Sequence, residues 1–168
     1  MTERDAPDRD AVAGDGRNES LNQQMDRNWG ELLQELRVLQ TGVQILAGFL
    51  LTIPFQERFE SLDDYQVGLY LANVVLAALI TAVILLPVSV HRRLFRKQLK
   101  STLVATADRI AKLALAGVAL LSAATASLVF DVTSGRDAGL LAGGGLLAIM
   151  ILLLVFVPIW LHKRAAKK

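Results

Sequence analysis

Side chains with reactive or hydrogen-bonding groups are sparse in the apolar parts of this chain of 168 residues, so the few that occur there stand out. Gln40, Gln44, Gly48 and Thr52 lie four apart, which places two amides and a hydroxyl on one face of a helix, with Thr41 beside them. Such amides either hold helices together or line a path for an ion or small solute. Asn73, with Ala77 and Thr81 at the same spacing, is the expected counterpart on the next apolar segment. Gln40, Thr41, Gln44, Asn73 and Thr81 are therefore the candidate interhelical or pathway residues, and the two faces are expected to meet. Packing is the favoured reading, because buried amides in apolar helices commonly serve it.

His91 and His162 are candidate proton-sensing residues, since imidazole titrates near neutrality. Both adjoin Lys and Arg at the end of an apolar run, and no carboxylate lies deep enough to relay a proton to them, so an interfacial position is the simpler account. Asp108, Arg109 and Lys112 are the charges nearest the third apolar stretch, and a surface ion pair is expected there. With no cysteine, the chain has no thiolate nucleophile, disulfide or thiolate metal site. It also lacks a phosphate-cradling glycine loop, an HExxH pair and a nucleophile elbow. A non-enzymatic protein without cofactor or metal is the expectation. An enzyme acting on lipid would need a carboxylate and a histidine to converge, Asp108 with His91 for instance.

The elements that carry these residues are read from charge placement. Hydrophobic residues make up 53% of the chain and charged ones 20%, against roughly 25% charged in soluble domains. Four stretches hold no charge at all: 38–56, 65–90, 113–130 and 138–161, of 19, 26, 18 and 24 residues. About 20 apolar residues cross a bilayer core. A soluble globular enzyme is excluded, and the fold class is an all-α polytopic membrane protein with four transmembrane helices, over about 38–56, 67–90, 113–130 and 138–161.

Residues 1–27 read as a disordered polar tail with too little apolar surface to offset ordering, 28–162 as the transmembrane domain and 163–168 as a basic tail. Nothing in residues 1–28 looks like the apolar region of a signal peptide, so the first span is expected to remain in the mature protein. From Trp29 the apolar residues Leu32, Leu33, Leu36, Leu39 and Val43 recur at helical spacing, and Pro54 is expected to end that helix. Residues 131–137 read as a turn centred on Ser134-Gly135. In the fourth span, Gly139 and Gly143 form a GxxxG pattern suited to close packing within or between subunits, and Gly143 to Gly145 leave room for a local break.

Basic residues are retained on the cytoplasmic side. Residues 91–112 hold seven Lys or Arg and one Asp, and the C-terminal tail holds four basic residues and no acid. The loops at 56–66 and 131–137 carry one Arg each against four and two acids. Both termini are thus expected in the cytoplasm and the protein in the cell membrane. Residues 1–37 carry five Arg and nine acids, but acids weigh little in this rule. Arg92, Arg93, Arg96, Lys97 and Lys100, around Leu94, Phe95 and Leu99, suit anionic lipid headgroups better than nucleic acid. Lipid is the expected partner, and the small-residue faces are compatible with a homo-oligomer.

One correspondence crosses these elements. Pro87 to Arg92 matches Pro158 to Lys163 at an offset of 71 residues, with Pro and His aligned in both copies. Two tandem helical hairpins in a parallel repeat would produce this, as would coincidence in apolar sequence.

The run from Glu35 to Gln44, continued by Phe49-Leu-Leu-Thr-Ile-Pro54-Phe55, resembles the opening signature of a family of small bacterial four-span membrane proteins classed as a domain of unknown function. Pro87 to Arg92, Phe95 and Phe130-Asp131-Val resemble its continuation, and the resemblance covers about residues 28–162. Some members are labelled sodium:proton antiporter, an activity the resemblance would imply here. Cation antiport usually uses an ionisable carboxylate near the bilayer midplane, and the four charge-free stretches contain none. The residues themselves favour a structural or accessory membrane component, with a small transporter or channel along the Gln/Asn surface as the alternative.

Overall fold

The computed structural model describes residues 20–94 and 100–165, with side chains described for Ser20, 23–89 and 106–165. Over these residues the fold is all-α. Four helices are long and apolar enough to cross a membrane, spanning Gln23–Phe55, Asp64–Ser89, Thr106–Ser134 and Arg136–Ala165.

The first helix, α1 (Leu21–Thr52), begins earlier than the boundary expected at residue 28. The cause is a capping box: the Gln23 amide N–H donates to Ser20 Oγ (3.3 Å) and the Ser20 N–H to Gln23 Oε1 (2.9 Å). Each bond satisfies a donor that a bare helix start leaves unpaired. At 32 residues α1 is about 48 Å long, more than the roughly 30 Å that a bilayer's hydrocarbon core requires. It ends as expected at Pro54, where the chain tightens into a 3-10 turn over Ile53–Phe55.

Helix α2 (Asp64–Leu94) starts behind a second capping box, in which the Gln66 N–H donates to Asp63 Oδ1 (2.8 Å) and the Asp63 N–H to Gln66 Oε1 (3.0 Å). It runs through Pro87 as one helix. Helix α3 covers Lys100–Ser134 and α4 Arg136–Ile151, so the turn expected over 131–137 is one residue long. Gly135 makes it with φ of 96°, a left-handed conformation that costs other residues dearly. The early end expected for α3 is therefore corrected: the Gly135 N–H donates to the Asp131 carbonyl, and helix persists to the turn itself.

Helices α1, α2 and α3 pack mutually, with buried residues seven apart on each: Leu36, Val43 and Leu50; Tyr70, Ala77 and Ile84; Ala107, Ala114, Leu121 and Leu128. That period is the seam of knobs-into-holes packing between helices. Among the spans, α4 packs on α3 alone. A Cβ on Gly139 would lie 2.7 Å from Asp131 Cβ, and one on Gly143 2.6 Å from Ser127 Cβ and 3.1 Å from the Ala123 carbonyl oxygen. The glycines thus let the α4 backbone lie directly against α3, the use of GxxxG within one chain. Helix α4 is continuous through Gly145, and the irregularity comes later as a π-helical turn over Leu152–Phe156, ahead of α5 (Val157–Ala165). There the Val157 N–H donates to the Leu152 carbonyl, five residues back, just before the ring of Pro158, which cannot continue regular bonding.

This packing is not that of two repeated hairpins. A twofold exchanging α1 with α3 and α2 with α4 would turn the α2–α3 contact into one between α4 and α1, and α4 makes none. Residues 71 apart also differ: Asn73, Ala77, Ile80 and Ile84 are buried, whereas Gly144, Ala148, Ile151 and Val155 are exposed.

Candidate functional site

The densest polar arrangement lies where α2 begins and α3 turns into α4. Asp131, in the last turn of α3, has a side chain only 3% exposed. Its Oδ1 accepts from Gln66 Nε2 (2.6 Å) and its Oδ2 from Arg136 Nε (2.7 Å). The same guanidinium reaches Asp63 Oδ2 through NH2 (2.6 Å) and lies over the Tyr65 ring, 3.7 Å from its centroid. One cation thus bridges two carboxylates from different helices while stacking on an aromatic face. Gln66 spends its carbonyl on the α2 cap and its NH2 on Asp131, so the cap that starts α2 also holds α3. The one-residue turn places Arg136 to do this, and the lone negative charge near the α3 C-terminus, unfavourable there by itself, is compensated. From sequence Asp131 is expected in the turn over 131–137, and the cluster is not among the candidate sites read from residue spacing. Its signal in the sequence is the Asp63–Gln66 capping spacing.

The amide surface proposed from spacing is not assembled. Asn73 is buried at 1% exposure, and its Nδ2 donates to the Leu69 carbonyl of its own helix (2.9 Å), leaving Oδ1 unpaired. Gln40 is half-buried and Gln44 and Thr52 are exposed, so this face of α1 points away from Asn73. The helical period explains the correction: once Leu36, Val43 and Leu50 face α2 and α3, positions 44, 48 and 52 must turn outward. The hydroxyls of Thr41, Thr52 and Thr81 bond to carbonyls of their own helices. Ala77 and Thr81 do face α1, across a groove of about 300 Å³ that also involves Ala47, Leu50 and Val74.

At the opposite end, Lys112 Nζ pairs with Asp108 at 2.6 Å on the surface. His162 is exposed in α5, and beside it Arg164 stacks on Trp160 at 3.9 Å. The side chains of His91, Arg92, Arg93, Arg96, Lys97 and Lys100 lie outside the described residues, so the candidate Asp108–His91 juxtaposition is also outside them. Among the described residues no group of three or more His, Asp or Glu side chains could hold a metal ion.

No curated protein and no solved structure matches the chain. Residues 18–158 match a family model described as a family of unknown function, DUF6328, which starts ahead of the resemblance read from residue 28 and takes in the Ser20 cap. With most of its length matched, the chain belongs to the DUF6328 family of unknown function.

Proposed function

We propose that this multi-pass membrane protein is a non-enzymatic structural or accessory component of the cytoplasmic membrane. The observation that carries the reading is the seam between α1, α2 and α3. Val43 and Leu121 are 0% exposed and Leu50 is 1%, with Tyr70, Ile80, Ile84 and Leu128 closing the seam along its length. A water-filled path between these helices would have to wet those side chains. The one amide buried there among the described residues is turned back onto its own helix, as a packing residue would be. The skew of Lys and Arg toward residues 91–112 and the C-terminal tail supports cytoplasmic termini, with the basic connection against anionic headgroups.

The test is reconstitution into vesicles containing a pH-sensitive dye. Sodium or potassium gradients should produce no proton flux above that of protein-free vesicles. Ion-dependent flux that Asn73→Leu abolishes would overturn the structural reading in favour of cation transport.

A further inference from the structure

We infer that the outward face of α1 centred on Gln44 is the contact surface for a second copy of this chain, α1 against α1, through paired Gln44 amides. The inference rests on membrane insertion and is independent of whether the protein transports anything.

Depth comes first. Gln44 lies seven residues past Arg37 and eight before Thr52, about 10 and 12 Å along the helix axis, near the middle of the first span. From there its short side chain cannot carry the amide to water at either surface. An amide left unpaired in hydrocarbon is costly, because no water is present to bond its two donors and its carbonyl. Gln44 is nevertheless exposed and makes no side-chain hydrogen bond among the described residues. Thr41 and Thr52, also outward on α1, bond back to the Arg37 and Phe49 carbonyls, and Gln40 lies a turn nearer the charged end of the helix.

No other part of the described chain covers the face, because α2 and α3 occupy the opposite side of α1 and α4 packs on α3 alone. One turn further along, a Cβ on Gly48 would meet nothing within 4 Å, so a second helix can approach the backbone closely beside the amide.

The choice of occupant follows from chemistry. An amide is self-complementary, donating through NH2 and accepting through its carbonyl. Between Arg37 and Glu57 the face carries no charge, so within that stretch a charged partner has no counter-charge to recognise. A second copy inserted in the same orientation presents Gln44 at the same depth, and a twofold along the membrane normal brings the two amides together with both carbonyls and two N–H groups bonded.

The chain contains no cysteine, so single cysteines report proximity cleanly. Two differently tagged full-length copies carrying Gly48→Cys would be co-expressed and oxidised in the membrane, with Leu141→Cys, highly exposed on α4, as the comparison. Gln40→Cys, one turn to the other side of Gln44, serves as a second reporter. A cross-linked species bearing both tags is expected from either reporter, and adding Gln44→Leu should reduce it about fivefold or more. Three results would overturn the inference: cross-linking no greater than from Leu141→Cys, a yield unchanged by Gln44→Leu, or a product joining one tag to a different protein.

Discussion

Arg136 meets three groups at once: the buried carboxylate of Asp131, the capping carboxylate of Asp63 and the ring of Tyr65. Its removal would leave a carboxylate that is 3% exposed holding a single hydrogen bond, from Gln66. Losing one member of a buried pair typically costs about 3–5 kcal/mol, and the 40% exposure of the Arg136 side chain places this case below that range, at about 2 kcal/mol. Arg136→Ala is therefore expected to lower stability by that amount in reversible unfolding in mixed micelles. Asp131→Asn added to Arg136→Ala should recover part of the loss by removing the uncompensated charge. A double variant as unstable as the sum of the two single changes would contradict this account. The Asp63–Gln66 half of the cluster was legible, because an Asp three residues before a Gln ahead of an apolar run is a capping pattern. The Asp131–Arg136 half was not, since its geometry depends on a helix persisting to the residue before Gly135.

The hairpin of α3 and α4 shows how a short motif acts through its neighbours. GxxxG by itself allows close approach to any helix, inside the chain or outside it. The one-residue turn resolves the choice, because it lays the glycine face of α4 antiparallel against the span it has just left. Gly143→Leu would force a side chain into Ser127 and the Ala123 carbonyl, at an expected cost of about 1–3 kcal/mol for overpacking. Gly145→Leu, with nothing within 4 Å of its Cβ, should leave thermal unfolding in detergent close to that of the parent chain. Equal effects of the two substitutions would mean that the α3–α4 contact is not what positions α4. The π-helical turn before Pro158 belongs to the same logic: a proline in a helix packed on one side only is accommodated by local rewinding. Pro87, buried in α2, lies within an uninterrupted α-helix, so the two prolines that suggested a repeat sit in different surroundings.

Taken together, the spans form a three-helix seam with a fourth helix outside it, sided by charge. In intact cells Ser61→Cys should react with a membrane-impermeant maleimide, whereas Lys163→Cys should react only after permeabilisation; the reverse pattern would invert the proposed orientation. The number and placement of the spans, their helical nature and the sidedness of charge could all be read from residue order, because hydrocarbon excludes charge and unbonded backbone wherever a segment crosses it. The orientation of each helix about its own axis could not. In a membrane segment apolar side chains are acceptable on every face, so hydrophobic periodicity loses the contrast that points a soluble helix toward its core. Tertiary packing settled those rotations. It turned the Gln44 face outward, buried Asn73 against its own helix, set α4 on α3 alone and drew Asp63, Gln66, Asp131 and Arg136 into one cluster, because close fit between particular side chains and glycine backbones, rather than polarity, distinguishes one arrangement of apolar helices from another.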